Sequence, residues 1–264
     1  MASLTLTVLG CGNSAGTPTI GNYWGKCDPA EPKNIRTRAS VAIRSAATTL
    51  VVDTGTDFRQ QINSNNIRDI SAVLYTHAHG DHIHGIDELR VIRNHTNKYV
   101  NIYGDRSCLE EIQERFAYMF QERDNGIYPK VITSNIIEKT EYYKEILIND
   151  ISFIPFEQEH GTCKTLGFRF GDLAYSTDMV GLCEKALETL AGIKTWVVDG
   201  AGYKMERNLV HATLKQVYAL NEIVGATKVY LTHLTPSMDY KTLQNELPEG
   251  YAPAYDGLTL EIEA

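Results

Sequence analysis

The most constraining feature of the 264-residue chain is the run His77-Ala78-His79-Gly80-Asp81-His82, which directly follows the apolar stretch Ala72-Val73-Leu74-Tyr75-Thr76. That stretch is β-branched and aromatic and reads as a strand, so the six residues form the loop at its carboxyl end. In α/β folds, functional sites gather outside the carboxyl ends of strands, where one loop turns several side chains toward a point. Three imidazoles and a carboxylate form a donor set suited to Zn, Mn or Fe(II). The alternative reading is a polar loop whose histidines face solvent.

One loop cannot surround a metal, so further ligands must come from other strand ends. His160 follows the strand read at 151–156, Asp178 ends Leu173-Ala174-Tyr175-Ser176-Thr177, and His233 ends Lys228-Val229-Tyr230-Leu231-Thr232. Further strands are read at 4–9, 40–44, 49–53, 99–103, 165–170, 195–199 and 258–263, and helices at 56–64, 83–94, 106–122, 182–191, 213–224 and 239–245. The helix at 213 carries the clearest signals: Thr213 with Gln216 forms a capping box, and Gly225 suits the position just past its end. Hairpin-like strands followed by strand-helix alternation occur twice, which predicts two similar βα halves packed as one domain over residues 1–264. Layer logic favours an α/β sandwich of two mixed sheets flanked by helices, although a single doubly wound sheet fits the composition equally well. Segment 121–150 is the least regular and most polar, and is read as a surface excursion.

The motifs and their order resemble the metallo-β-lactamase superfamily over residues 4–263. The resemblance implies an αββα sandwich with a two-metal hydrolytic site. Motif by motif, His77, His79 and His160 would bind one ion, Asp81, His82 and His233 the other, and Asp178 would bridge them. Asp53, in Asp53-Thr54-Gly55, would accept a hydrogen bond from a ligand histidine and so fix its tautomer. Two cations about 3.5–4 Å apart lower the pKa of a shared water and clamp both oxygens of a phosphoryl centre, making a hydroxide the nucleophile. Gly10–Pro18, Asn34–Ser40, His84–Arg90 and the run 230–258 resemble, more narrowly, the cyclic phosphate phosphodiesterase branch. Several members of that branch carry closely spaced cysteines for a structural zinc. Here the segment after Pro18 offers only Cys27, so the cofactors expected are two catalytic divalent ions, Zn or Mn with Fe compatible, and no structural zinc.

His211, in His211-Ala212-Thr213, resembles the His-Ser/Thr motif of ribonuclease Z. Cleaving P–O from an alkoxide needs a proton there, so His211 is assigned with Asp81 to the catalytic set, as general acid or phosphate binder. His84, Tyr203 and Arg207 are candidate substrate contacts. Arg36, Arg38 and Arg90 could meet phosphate, but Arg90 beside Asp87 is as often an ion pair. His95 reads as surface.

Composition narrows the substrate. Acidic residues exceed basic ones, 33 to 25, and the net charge of -8 opposes charge-driven binding of long nucleic acid or an anionic membrane. No run approaches about 20 apolar residues, the N-terminal stretch lacks a basic region before an apolar one, and the five cysteines lack CxxC spacing. A cytoplasmic location and reduced thiols are expected. The reading is a two-metal phosphodiesterase for a small cyclic phosphate or nucleotide-like ester, compatible with a homodimer. The alternatives are a thioester hydrolase, a ribonuclease Z-like nuclease, and a non-enzymatic binding module, which a full ligand set argues against.

Overall fold

The computed structural model describes residues 4–122 and 126–263, and the part of the 121–150 excursion at 123–125 lies outside them. Alternation within its strands explains the layers. In β1 (Leu4–Gly10), β2 (Ser40–Arg44), β3 (Thr49–Val52) and β4 (Ala72–Leu74), the residues Leu6, Val8, Val41, Ile43, Leu50, Val52 and Leu74 share one cluster. Their neighbours Leu9, Ala42, Val51 and Val73 belong to a second. Side chains alternate across a sheet with period two, so continuous apolar runs mean that both faces are covered.

β5 (Val100–Gly104) and β6 (Ile132–Ile136) complete this half, whose helices are α1 (Phe58–Ser64), the single turn α2 (Gly80–Ile83), α3 (Leu89–Thr96) and α4 (Arg106–Arg115). Phe58, Ile62, Leu89, Ile92, Leu109 and Ile112 of α1, α3 and α4 cover the outer face. The second half holds β7 (Ile146–Ile148), β8 (Ile151–His160), β9 (Cys163–Phe170), β10 (Leu173–Ser176), β11 (Gly181–Leu182), α5 (Glu184–Leu190), β12 (Thr195–Asp199), α6 (Leu214–Val224), β13 (Lys228–Thr232), α7 (Tyr240–Glu246) and β14 (Tyr251–Pro253). β15 (Thr259–Ile262) returns to pair with β1, so the first sheet runs β15-β1-β2-β3-β4-β5-β6 and the second β11-β8-β9-β10-β12-β13-β14, with β7 on β8. Each sheet begins with antiparallel pairs and ends in three parallel ones, β3 to β6 and β10 to β14. This is the repeated half and the two-sheet sandwich expected. Inner faces meet through Leu6, Val41, Leu50 and Leu74 on one side and Phe153, Phe168, Leu173 and Tyr175 on the other.

Several sequence expectations are corrected. The excursion at 121–150 contains β6 and β7, and the helix read at 83–94 is broken. Gly85 causes the break: its N–H donates to the Thr54 carbonyl at 2.8 Å, and a Cβ there would lie 2.1 Å from the Gly55 oxygen. The chain therefore passes flat against the Asp53-Thr54-Gly55 turn before α3 starts. The 106–122 helix ends at Arg115, whereas the Thr213–Gln216 capping box and left-handed Gly225 occur as expected. Among the described residues no helix is long and apolar enough to cross a membrane.

Candidate metal centre

All seven expected ligands lie at one edge of the sandwich, because the strands that carry them point the same way. β8 is antiparallel to β9, which is antiparallel to β10, so the carboxyl ends of β8 and β10 coincide. β10, β12 and β13 are parallel. The two sheets are joined at this edge by the Leu166 N–H, which donates to the Thr76 carbonyl at 2.9 Å. His160 is the last residue of β8 itself rather than part of a following loop. Asp53, Asp178 and His233, each just past a strand, have φ of 63°, 50° and 58°. This left-handed conformation costs a non-glycine residue on the order of 1–2 kcal/mol, a strain typical of functional sites, and here it turns each side chain out of the strand register toward the centre.

His77, His79 and His160 each place a ligand atom within 4.8 Å of the others, as do Asp81, His82 and His233. Asp178 lies between these trios, with Oδ2 3.1 Å from His82 Nε2 and Oδ1 3.7 Å from His160 Nε2 and 3.4 Å from His233 Nε2. His77 Nε2, His82 Nε2 and both ring nitrogens of His233 are buried with no hydrogen-bond partner. Buried polar nitrogens are rarely left unpaired, and the Nε2 atoms of His77, His82 and His233, gathered beside Asp81 and Asp178, fit divalent cations.

The tautomers suit that role. Asp53, fully buried, accepts from the Thr76 N–H at 2.9 Å, the Thr76 hydroxyl at 2.8 Å and His82 Nδ1 at 2.8 Å. Because the Thr76 hydrogen is committed to Asp53, its oxygen accepts from His77 Nδ1, 2.9 Å away. One carboxylate thus leaves Nε2 of both His77 and His82 bare. His160 is set independently, its Nδ1 donating to the Val210 carbonyl at 2.7 Å.

Charge agrees with geometry. Burial holds His77 well below, and His160 below, the ordinary imidazole range, the neutral state a metal ligand needs. Burial would also lower His82 and His233, but the carboxylates around them, Asp178 and Asp53 at His82 and Asp178, Asp81 and Asp199 at His233, together outweigh it and push both up, a sign that the cavity's carboxylates call for positive charge. Burial alone would raise Asp178, yet His233, His82 and His77 hold it well below the usual carboxylate range.

His211 stands beside this centre. Its ring lies 4.6 Å from His233 and 5.2 Å from His160, centroid to centroid, and it shares a 4.8 Å cluster with His160 and Asp178. Its Nδ1 is 2.7 Å from Oδ2 of Asp199, which is fully buried and also accepts from the N–H groups of Met179 and Ala201. Asp199 was missed by sequence reasoning, although it ends the strand Thr195–Asp199 and the strand-end rule would have included it.

The remaining candidates separate. His84 is exposed, its ring over Gly80 and 6.1 Å from that of Phe116. Tyr203 does not line the centre: it is buried against the core and its hydroxyl donates to Glu246 of α7. Arg207 is exposed and makes no hydrogen bond or ion pair among the described residues. Arg36 is buried and donates to Asn34 and the Thr235 carbonyl, Arg38 is paired with Asp57, and Arg90 with Asp87. His95 is exposed on α3. The Cys27 thiol is buried and donates to the Pro236 carbonyl.

The family model of the beta-lactamase superfamily domain matches residues 48–234, from the start of β3 to just past His233. The chain belongs to the beta-lactamase superfamily. Its two helix-flanked mixed sheets are the metallo-β-lactamase fold. A crystal structure of a diphosphatase from the PhnP family is 29% identical, with a TM-score of 0.86 over 98% of this chain and 97% of that one. Human tRNase Z, short form, shares the fold at 16% identity, with a TM-score of 0.69 over 98% of this chain and 100% of that one. A Porphyromonas gingivalis protein named octanoyltransferase is 29% identical over 258 residues, 97% of this chain and 51% of its own. The chain thus spans about half the length of the curated relative it matches.

Proposed function

We propose that this protein hydrolyses a small phosphate diester or diphosphate ester, using two divalent cations held by His77, His79, His160, Asp81, His82, His233 and the shared Asp178. When bound, such cations polarise a phosphoryl oxygen and lower the pKa of water. The observation that carries the reading is the Asp199–His211 pair. Asp199 occupies Nδ1, so Nε2 of His211 is the nitrogen free to act, between His160 and His233 on the rim of both ligand trios. A sugar or alkyl alkoxide is a poor leaving group unless protonated, and a positioned imidazole supplies that proton. A thiolate, with a thiol pKa of about 8.5, needs it far less. The likeness to a PhnP-family diphosphatase supports phosphorus over carbon as the reacting centre.

A thioester or acyl ester hydrolase is the second reading, favoured only by the name of the half-matched octanoyltransferase. The surplus of acidic side chains disfavours a transfer-RNA substrate. The deciding experiment loads the protein with Zn or Mn and compares a ribose cyclic phosphate, a nucleoside diphosphate ester, bis(p-nitrophenyl) phosphate, and acyl thioesters. Cleavage of the phosphorus substrates with little thioester turnover supports the proposal, and the reverse order rejects it.

A further inference from the structure

The chain between Gly202 and Ala212 forms part of the rim of the metal centre, as an Ω-loop whose ends meet through the Gly202 N–H and the Ala212 carbonyl at 3.0 Å. Tyr203 and Lys204 anchor its start to Glu246 of α7, and the Ala212 N–H anchors its end to the Met179 carbonyl at 2.7 Å. The stretch between is exposed at Met205, Glu206, Arg207, Leu209 and Val210. Among the described residues, no backbone carbonyl accepts from an N–H of residues 206–211. A loop with so few internal bonds opens easily. Yet it carries two groups that the site needs: the Val210 carbonyl, which takes His160 Nδ1 at 2.7 Å, and His211 itself.

Asn208, the half-buried residue of this stretch, holds both. Its Oδ1 accepts from the Val210 N–H at 3.0 Å and from the His211 N–H at 3.1 Å. A short side-chain acceptor that reaches N–H groups just ahead of it in the chain is what asparagine brings to turns. The partners settle which way the amide points. Reversed, Nδ2 would face two N–H donors, whereas as placed it donates to Met205 Sδ at 3.5 Å. The turn after His160 packs on the same point: Gly161 has φ 62°, and a Cβ on it would lie 2.6 Å from Val210 Cγ1. One carboxamide therefore fixes residues 209–211 against both the end of β8 and the His211–Asp199 pair.

We infer that Asn208 is a positioning residue that sets the proton donor His211 and the metal ligand His160 through a single turn. The His211 half of this inference rests on the phosphoesterase reading above, and the His160 half does not. Asn208 acts only through its neighbours: through the backbone of His211, whose Nδ1 lies 2.7 Å from Asp199 Oδ2, and through the Val210 carbonyl. Proton transfer is steep in geometry, and a misplacement of about 1 Å can cost about 10²-fold. Removing the side chain leaves two N–H groups of a surface loop to water, so the fold should survive while the turn loosens.

The test compares Asn208→Ala with Asn208→Asp, which keeps an accepting oxygen, with His211→Ala, and with the Asn208→Ala/His211→Ala double variant, all at saturating Zn or Mn. In Asn208→Ala, kcat for a ribose cyclic phosphate should fall about 10- to 100-fold with KM within about threefold, whereas bis(p-nitrophenyl) phosphate, whose leaving group needs no proton, should lose less than about threefold. Asn208→Ala should cost nothing further in a protein that already lacks the His211 imidazole. Chelator competition, which needs no turnover, should show metal held about 10-fold more weakly in Asn208→Ala, with or without His211. Asn208→Asp should restore both kcat and metal affinity. Equal losses on the two esters, full additivity with His211→Ala, or a failure of Asn208→Asp to restore either readout would overturn the inference and leave Asn208 a loop-folding residue only. Unchanged kcat and metal affinity in Asn208→Ala would overturn it as well. A wild type that cleaves no phosphate ester rejects the phosphoesterase reading instead, and the metal titration then decides alone: a weakened Asn208→Ala restored by Asn208→Asp upholds the His160 half, and unchanged affinity rejects it.

Discussion

Replacing Asp53 by Asn exchanges one buried oxygen for an amino group and should separate metal binding from folding. Asp53 accepts three hydrogen bonds, from the Thr76 N–H, the Thr76 hydroxyl and His82 Nδ1. In the Asn variant the amide oxygen keeps the Thr76 N–H, because turning the amino group there would set two buried donors face to face. The amino group then donates to Thr76 Oγ1 and to His82 Nδ1. The Thr76 hydroxyl, released, donates to His77 Nδ1, and both imidazoles must carry their proton on Nε2, the metal-facing atom. Each hydrogen bond around position 53 keeps a donor and an acceptor, so the metal-free protein should keep its fold with Tm within a few degrees. Restoring the ligating tautomers breaks two buried hydrogen bonds at about 1–3 kcal/mol each, or about 2–6 kcal/mol together. Overall metal binding should weaken about 30-fold to 10⁴-fold. Calorimetry of the metal-free protein with chelator-competition titration of the ions measures both halves. A folded Asp53→Asn protein with wild-type metal affinity would refute the tautomer argument.

Three other outcomes are expected. His211→Ala should keep its metals and lower kcat about 10²–10⁴-fold for alkoxide leaving groups but far less for p-nitrophenolate, whereas loss of an ion would make His211 a ligand. Burial pushes the carboxyl of Asp256 up to about 6 despite hydrogen bonds from Cys11 and Thr37. Between its unfolded pKa of about 3.9 and that value the folded state holds more protons, so stability should fall by about 3 kcal/mol as pH rises through this window. Urea unfolding should show that slope in wild type and not in Asp256→Asn, and parallel profiles would contradict it. Gly85→Ala, whose Cβ would meet the Gly55 carbonyl at 2.1 Å, should cost about 1–3 kcal/mol, while Gly80→Ala meets only the flexible His84 ring and should be milder. Equal stabilities would show that the turn yields freely.

The strands that lead to the candidate ligands were legible because both faces of each sheet are covered, leaving continuous apolar runs such as Leu173–Tyr175 and Val73–Tyr75. The strands that escaped notice are short and peripheral. β6 carries Thr133, Ser134 and Asn135 at a sheet edge, where one side need not be apolar, and β14 is three residues ending in Pro253 at the other sheet's edge. β7 had a readable signal in Asn149-Asp150, a two-residue hairpin turn with Asn149 at φ 53°. That the seven side chains converge was legible from residue type and strand-end position, since those two facts decide where an imidazole can meet others. Tyr203 and Arg36 were not, because a loop residue's direction depends on packing: Tyr203 turns inward to Glu246, and Arg36 ties its loop to Thr235.

Reconstitution of chelator-stripped protein with divalent metal, monitored at once for bound equivalents and for hydrolysis of a ribose cyclic phosphate, bears most directly on the central claim. Activity should be absent without metal, rise as binding approaches two equivalents per chain, and fail to return in Asp178→Ala although that protein folds. Full turnover by the metal-free protein, or saturation with two ions and no cleavage of any phosphate ester, would contradict it.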